Sequence, residues 1–375
     1  MGIWKRAMEN LVAHRLFNNV YKDRKVFITG HTGFKGSWLA AWLTMMGAEV
    51  TGYSLSPQST PNHYDLLKLD FKSIIDNITD YGRIKSAIQA AQPEIVFHLA
   101  AQALVRRSYK DPVQTYQTNV MGTLNLYEAC SLCGSVKAVV SVTSDKVYEN
   151  KERHQPYKET DQLGGYDMYS SSKACVEIMT NSYRRSFLKK KDNSFAKQIV
   201  TARAGNVMGG GDWAEDRLIP DMMRGMKTGE KVVIRNPEAV RPWQHVLEPL
   251  SGYLLLGQAL LAQTPLHLNS WNFGPASNEF ITVREVMEKI KKILPELDYI
   301  LEKPDSLHEA GLLAVDSSNT INQLKWAPVW TTDNTITKTA AWYKQYYRNS
   351  EILTLDNIHE YVGDAMKREL IWTKQ

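Results

Sequence analysis

The 375-residue chain has little cysteine, no long apolar run and no strong excess of one charge. Its 45 lysines and arginines against 40 aspartates and glutamates leave a net charge of +5, too small to predict a nucleic-acid-binding protein. No apolar stretch approaches the length of a membrane-spanning helix. The basic N-terminal stretch lacks the apolar core of a secretion signal. We therefore expect a cytoplasmic protein whose partners include neither a membrane nor a nucleic acid.

Only three cysteines are present, and two of them, Cys130 and Cys133, form a CxxC pair. A structural zinc site needs a second pair of cysteines or histidines, and none accompanies this one. We favour the alternative, in which two small residues pack on a helix, and we predict no metal site. So few cysteines also fit a reducing compartment.

What the sequence does contain is a regular alternation of short β-rich runs and helical stretches. Strands are predicted at 25–30, 49–55, 73–78, 94–100, 137–144 and 197–205, and helices at 34–47, 81–91, 113–133 and 168–190. Strands that alternate with helices indicate a parallel sheet with helices on both faces.

Beyond residue 206 the alternation loosens into stretches rich in glycine, tryptophan, proline and arginine. We therefore predict an α/β protein with a Rossmann-type, doubly wound parallel sheet in residues 25–205, after an N-terminal arm of residues 1–24. A later strand from about 236–275 is expected to join this NAD-binding domain. Residues 206–375 are predicted to form mainly a smaller, less regular lobe that binds the substrate.

The turn after the first predicted strand reads TGHTGFKGSW, in which Gly30, Gly33 and Gly36 make a GxxGxxG pattern. Such a turn lets the backbone approach a pyrophosphate closely while helix N–H groups point at its charge. The alternative is a tight turn without a ligand. The next predicted strand ends in VTGYSLS, with neither the acid that holds ribose hydroxyls nor an arginine for a 2′-phosphate. The residues thus predict a dinucleotide but leave NAD and NADP open.

A second pattern is YSSSK, which places Tyr169 and Lys173 four residues apart on one face of a predicted helix. A free tyrosine is a poor base, with a pKa of about 10. An ammonium and a positively charged nicotinamide ring both favour the phenolate. Lowering the pKa to about 7 needs roughly 4 kcal/mol of such stabilisation. The pair therefore predicts a tyrosine base.

The third pattern, SVTSDKVYEN, sets Ser144, Asp145 and Lys146 in a row at the end of a predicted strand. Ligands of open α/β sheets bind at the carboxyl ends of the strands. The glycine-rich turn and this segment should therefore face one cleft. We expect Ser144 to donate a hydrogen bond to the same substrate oxygen as Tyr169.

These motifs resemble those of the extended short-chain dehydrogenase/reductase family, which has TGxxGxxG, HLAAQ, NVMGT and YxxxK in this order. Within it, the chain is similar to the nucleotide-sugar dehydratases, and to their CDP-glucose branch in particular. The residues that carry this likeness are GHTGFKGSWL, HLAAQALVRRSY, TSDKVYEN, YDMYSSSKACVE, RAGNVMGGGDWAEDRLIPD and RPWQHVLEPLSGYL, followed by WNFGP and HEA.

The resemblance implies NAD as cofactor, CDP-glucose as substrate, and a role in the synthesis of deoxysugars such as those of lipopolysaccharide O-antigen. It also implies a homo-oligomer, a dimer or a dimer of dimers, through the helices at 111–133 and 168–190. The implied cofactor-binding residues are Gly30, Thr32, Gly33, Phe34, Lys35, Gly36, Asn77, Ile78, Leu99, Ala100, Ala101, Asn119, Tyr169 and Lys173. The implied substrate-binding residues are Gln102, Asn206, Arg217, Arg241 and His245.

The implied reaction oxidises carbon 4 of the sugar, eliminates water across carbons 5 and 6, and returns the hydride to carbon 6. Its implied catalytic residues are Ser144, Asp145, Lys146, Tyr169 and Lys173. Relatives that act on dTDP-glucose have Thr-Asp-Glu where this chain has Ser144, Asp145 and Lys146. The base that removes the carbon 5 proton is therefore open between Lys146, Tyr169 and water. A nucleotide-sugar 4-epimerase and a catalytically silent NAD-binding regulator are the alternative functions.

Overall fold

The computed structural model describes residues 15–189, 197–234, 236–275, 281–302 and 312–374. The HEA motif at 308–310 and the first 14 residues of the predicted N-terminal arm lie outside these ranges.

A seven-stranded parallel sheet forms the centre of the protein. Its strands are β1 (Lys25–Thr29), β2 (Glu49–Ser54), β3 (Lys72–Ile75), β4 (Ile95–His98), β5 (Ala138–Val142), β6 (Gln198–Ala204) and β11 (Ser270–Phe273). They lie in the order β11-β6-β5-β4-β1-β2-β3, and every neighbouring pair is parallel. The inner strands β4 and β5 are buried along their whole length, which explains their apolar sequences. The predicted α/β fold is confirmed.

Helices cover both faces of this sheet. Before β6 the helices are α1 (Phe34–Met45), α2 (His63–Leu67), α3 (Tyr81–Ala91), α4 (Val105–Lys110), α5 (Pro112–Tyr116), α6 (Gly122–Leu132) and α7 (Met168–Tyr183). After β6 they are α8 (Leu218–Thr228), α9 (Leu247–Leu261), α10 (Val283–Ile293), α11 (Thr332–Asn349) and α12 (Thr354–Lys367). One apolar core lies between the sheet and helices that include α1 and α9, and a second involves α3, α6 and α7.

The helix predicted over 113–133 is interrupted in the structure. A π-helical turn at Gln117–Met121 separates α5 from α6. Such a turn adds one residue to the helical repeat and changes the direction of the side chains within it. Asn119, at its centre, is buried and contacts the loop after β4. A second π-helical turn, Arg184–Leu188, follows α7.

The residues after β6 return to the sheet and also build a separate set of short elements. Strand β11 pairs with β6, and α9 packs on the sheet. Six short strands form three two-stranded sheets: β7 (Val207–Met208) with β10 (Gln244–His245), β9 (Val240–Arg241) with β12 (Ile281–Thr282), and β8 (Val232–Ile234) with β13 (Tyr299–Leu301). Within the described ranges, every helix is too short or too polar to cross a bilayer.

Candidate active site

The glycine-rich turn between β1 and α1 has the shape of a phosphate cradle. Gly30 has a φ of +79°, and a Cβ there would lie 2.7 Å from the Ala100 nitrogen. A Cβ on Gly36 would lie 2.0 Å from the Gly30 carbonyl oxygen, so neither position accepts a side chain. No side chain caps α1 at Gly33. The first N–H groups of this helix are therefore left to bind an anion, as a dinucleotide pyrophosphate requires.

The loop after β4 closes against this turn. The Thr29 hydroxyl accepts hydrogen bonds from the N–H groups of Leu99 and Ala100, each at 3.2 Å. The same hydroxyl lies 2.7 Å from Nδ1 of His98, whose Nε2 lies 2.8 Å from the Thr123 hydroxyl. Burial lowers the pKa of His98 to about 3, so its ring is neutral at pH 7. The predicted cofactor residues 99–101 are thereby held beside Gly30.

Asn119 connects this loop to the helix that carries Tyr169. Its Oδ1 accepts the Gln102 N–H at 2.8 Å, and its Nδ2 donates to the Gln102 carbonyl at 3.1 Å and to the Ser172 hydroxyl at 2.9 Å. The Gln102 side chain turns back to Leu104 and Thr115. Asn119 and Gln102 are therefore well placed to shape the cleft. Their predicted contacts with cofactor or substrate stay predictions.

The remaining predicted cofactor residues lie around the same edge of the sheet. The Thr32 hydroxyl is 2.8 Å from that of Ser54 and donates to the Leu55 carbonyl. Hydroxyls thus stand at the end of β2, where the sequence has no acid. Phe34 is half-buried, Asn77 is exposed, and Ile78 is buried in the core with α3 and α6.

The carboxyl end of β5 carries a buried acid with a free oxygen. Ser144 donates to Oδ1 of Asp145 at 3.0 Å and accepts the Lys146 N–H at 3.2 Å. The Oδ2 atom of Asp145 is buried and has no hydrogen-bond partner among the described residues. Burial raises the pKa of Asp145, although Lys146, Ser144, Lys35 and Arg241 act in the opposite direction. This carboxyl is therefore suited to hold and donate a proton.

Tyr169 is buried in contact with the end of β5. Burial raises its pKa to about 12, while the Ser144 hydroxyl favours the phenolate. The charge of Asp145 raises this pKa and that of Arg217 lowers it. The phenol therefore lies within the electrostatic reach of both Asp145 and Arg217, the arginine at the start of α8.

Two lysines bring positive charge into the cleft. Lys173 donates from Nζ to the Val142 carbonyl at 3.1 Å, and burial lowers its pKa to about 8, with a further lowering from Lys35. Burial likewise lowers the pKa of Lys35 to about 8, with Arg217 acting in the same direction and Asp145 against it. Lys35 thus acts on Asp145 and Lys173, two of the predicted catalytic residues, as well as belonging to the glycine-rich turn.

Two predicted substrate arginines flank this cleft. Arg217, at the start of α8, pairs with Asp212 at 3.0 Å and keeps about a third of its side chain exposed. Arg241, on β9, is half-buried and lowers the pKa of Asp145. Asn206 is half-buried between β6 and β7, where its carbonyl accepts the Gln244 N–H at 3.2 Å. Guanidinium groups at a partly open cleft are suited to phosphate.

His245 lies deeper than the other predicted substrate residues. Its ring packs edge-on against Trp330 and Trp38, at centroid distances of 4.9 and 5.7 Å. Burial lowers its pKa to about 3. Its predicted contact with the substrate stays a prediction, and its surroundings favour a packing role.

Sequence reasoning did not identify the buried groups that hold these side chains. Glu177 lies one helical turn beyond Lys173 and accepts from Thr143. Arg203 pairs with Glu177, and Asp212 pairs with Arg217. Only the spacing of Tyr169, Lys173 and Glu177 on one helix could have drawn attention to this acid. The described residues contain no cluster of three metal-ligating side chains.

Comparisons with known proteins identify relatives of this chain. A family model described as GDP-mannose 4,6 dehydratase matches residues 27–339. The CDP-glucose 4,6-dehydratase of Salmonella typhimurium is 43% identical over 339 residues, which cover 89% of this chain and 94% of that protein.

Solved structures share the fold. The UDP-glucose 4-epimerase of Thermotoga maritima, determined with UDP-glucose, superposes with a TM-score of 0.74 at 22% identity and covers 86% of this chain and 99% of its own. The UDP-glucose 4-epimerase of Thermus thermophilus, determined with NAD, gives 0.72 at 22% identity, with coverage of 85% and 98%.

Proposed function

This chain belongs to the GDP-mannose 4,6 dehydratase family, and on that premise we propose that it converts CDP-glucose to CDP-4-keto-6-deoxyglucose and water, as its likeness to the CDP-glucose dehydratases implies. One observation carries the proposal beyond family likeness. The buried carboxyl of Asp145 accepts the Ser144 hydrogen bond at Oδ1, its Oδ2 has no partner among the described residues, and its charge acts on the Tyr169 phenol. A dehydration needs an acid for the departing hydroxyl in addition to the tyrosine base, whereas a 4-epimerisation needs only the base.

Tyr169 removes the proton of the carbon 4 hydroxyl as that carbon is oxidised. Ser144 binds the same oxygen and favours the phenolate. Lys173, anchored on the Val142 carbonyl, supplies positive charge to this region. The three side chains come from the end of β5 and from one face of α7, so the packing of α7 on the sheet sets their spacing.

Asp145 donates its proton to the hydroxyl that leaves carbon 6. Its raised pKa supports this role, because the acid must hold a proton before it can deliver one. Lys146 is half-buried beside it, and we propose that its amine, in the neutral form that a base requires, takes the carbon 5 proton. Tyr169 and water remain the alternative bases for that proton.

The glycine-rich turn supports a dinucleotide cofactor, through the open N-terminus of α1 and the close approach of Gly30 to Ala100, and we propose that this cofactor is NAD. When bound, NAD supplies the reversible hydride acceptor that the reaction requires. We propose that residues 25–205, with β11, hold the cofactor and that residues 206–375 mainly hold the nucleotide sugar. Arg217, Arg241 and Asn206 are the proposed contacts to its diphosphate.

We further propose that the enzyme is a homodimer or a dimer of dimers. Large apolar side chains, between 50% and 69% exposed, lie on α5, α6, α7 and the turns next to them: Val113, Met121, Leu132, Ile178 and Phe187. An exposed apolar face on adjacent helices is typical of a surface that a second copy covers.

Three unpaired cysteines fit a cytoplasmic enzyme.

The purified protein should be incubated with CDP-glucose and NAD, and the product assayed for the alkaline ultraviolet absorbance of a 4-keto sugar. We expect this absorbance to appear with CDP-glucose. Formation of CDP-galactose without it would instead identify an epimerase, and unchanged substrate would favour a silent NAD-binding protein.

A further inference from the structure

A buried ion pair lies behind the active site and has no part in the reaction proposed above. Glu177 on α7 and Arg203 on β6 meet at 2.8 Å, with 4% and 3% of their side chains exposed. Burying two charges costs free energy even when they are paired. Their further contacts indicate what this pair does.

Glu177 binds Thr143, the residue before the turn formed by residues 144–147, which contains the proposed acid. Its Oε1 accepts a hydrogen bond from the Thr143 hydroxyl at 2.5 Å, and its Oε2 accepts from Thr201 at 2.7 Å. Thr143 is followed directly by Ser144 and Asp145. Because Glu177 stands two helical turns after Tyr169, the same helix face carries both the base and this anchor.

Arg203 binds Tyr148, the residue that follows this turn. Its Nη1 donates to the Tyr148 hydroxyl at 2.8 Å, and its guanidinium lies 5.1 Å from the centre of the Tyr148 ring. The Tyr148 hydroxyl in turn donates to Asn272 on β11 at 2.7 Å. Residues 144–147, which contain the proposed acid and the lysine beside it, are thus anchored on both sides by one ion pair.

The carboxylate also acts on Lys173. Burial would raise the pKa of Glu177, but Arg203, Thr143 and Thr201 reverse this effect and lower it, so the group is ionised. Its charge raises the pKa of Lys173 against burial and against the ammonium of Lys35. The other groups that face Lys173 are the neutral ring of His98 on β4 and the Val142 carbonyl on β5.

We propose that Glu177 and Arg203 are positioning residues that fix Asp145 relative to Tyr169 and place a carboxylate one helical turn from Lys173. The inference rests on the proposed function, since it assumes that Asp145 and Tyr169 act on one sugar. Misplacing a catalytic group by about 1 Å can lower a rate about 100-fold. A merely structural ion pair would affect stability but leave the pH dependence of the folded enzyme unchanged.

The first test uses Thr143, whose hydroxyl is the contact nearest to the turn. Thr143→Val keeps the shape and removes the hydroxyl, whereas Thr143→Ser keeps the hydroxyl. We expect Thr143→Val to lower kcat about 10-fold or more with KM within about twofold, and Thr143→Ser to stay within about threefold of the wild type. Equal kcat values for the two variants would overturn the proposal.

The second test uses Glu177→Gln, with Glu248→Gln as the matched control. Glu248 also has a fully buried carboxyl group, but it accepts hydrogen bonds from Val329, Trp330 and Tyr361, away from the turn. Loss of the Glu177 charge lowers the pKa of Lys173, so the oxidation step, followed as NAD reduction in a single turnover, should fall with rising pH about one pH unit earlier. Glu248→Gln should leave this alkaline limb in place. An unmoved limb in folded Glu177→Gln, or an equal shift in the control, would refute the inference.

Hydrogen exchange separates this inference from the proposed function. In the free protein, Thr143→Val should speed amide exchange in residues 143–148 at least about threefold relative to Thr143→Ser, because one anchor of the turn is lost. If exchange were unchanged, the Glu177 contact would not anchor residues 144–147, whatever the substrate is. A wild-type protein that does not act on CDP-glucose would refute the proposed function alone.

Discussion

Replacing Asp145 by asparagine should stop the reaction after oxidation and before water is lost. The amide has nearly the shape of the carboxyl, and its oxygen can still accept the Ser144 hydrogen bond of 3.0 Å. It cannot deliver a proton to the leaving hydroxyl. An ionised Asp145 raises the pKa of Tyr169, so an uncharged amide at this position does not oppose proton abstraction by the tyrosine.

The expected cost follows from the loss of a general acid, which typically lowers a rate about 100-fold to 10,000-fold. This corresponds to about 2.7–5.5 kcal/mol in the barrier to elimination. In the wild type the acid works only while it is protonated. Elimination should therefore slow as pH rises through the raised pKa of Asp145. The asparagine variant has no such group, and its residual rate should lack this dependence.

The enzyme is mixed with NAD and CDP-glucose. Reduced cofactor is then followed by its absorbance, and the products are analysed after quenching. We expect reduced cofactor and a 4-keto-glucose nucleotide to accumulate on the Asp145→Asn enzyme. Asp111→Asn serves as the control, since Asp111 caps α5 through the Gln114 N–H and asparagine caps helices equally well. If the Asp145→Asn variant released water at the wild-type rate, Asp145 would not be the acid.

Three further variants test other parts of the account. Tyr169→Phe keeps the ring but removes the base, and turnover should fall about 100-fold to 10,000-fold; a folded variant with nearly normal turnover would exclude this assignment. Lys146→Met should slow the entry of solvent deuterium at carbon 5, as measured by mass spectrometry, and unhindered entry would leave Tyr169 or water as the base. Burial raises the pKa of Glu248 to about 7, whereas in the unfolded chain it is about 4.3. The protonated carboxyl therefore stabilises the fold at low pH, and this contribution is lost as the pH rises from about 4.3 through 7. Denaturant unfolding of Glu248→Gln should lack this decline and show a loss of about 1–3 kcal/mol from unpaired donors; an unchanged pH profile would contradict this reading.

The centre of the sheet could be predicted from the sequence because its inner strands are buried on both faces. Ile95–His98 and Ala138–Val142 are wholly buried, so they appear as continuous apolar runs between helical stretches. The π-helical turn at Gln117–Met121 could not be predicted in this way. The extra residue changes where Asn119 points without changing the helical character of the sequence.

The candidate site could likewise be predicted only in part. The glycine turn, Tyr169 with Lys173, and the segment from Ser144 to Lys146 are local patterns with a chemical meaning, and the fold brings them to one edge of the sheet. The groups that hold them come from distant parts of the chain. Glu177 is 34 residues from Thr143 and 26 from Arg203, and no spacing rule connects these residues. Lys35 belongs to the glycine turn in the sequence, yet its charge acts on Asp145 and Lys173.

The most direct test of the central claim is the fate of the hydrogen on carbon 4. CDP-glucose that carries deuterium at carbon 4 should be converted with catalytic NAD, and the product examined by NMR and mass spectrometry. The account predicts CDP-4-keto-6-deoxyglucose with the deuterium on carbon 6 and no net accumulation of reduced cofactor. Deuterium that stays on carbon 4 of a CDP-galactose product would contradict it.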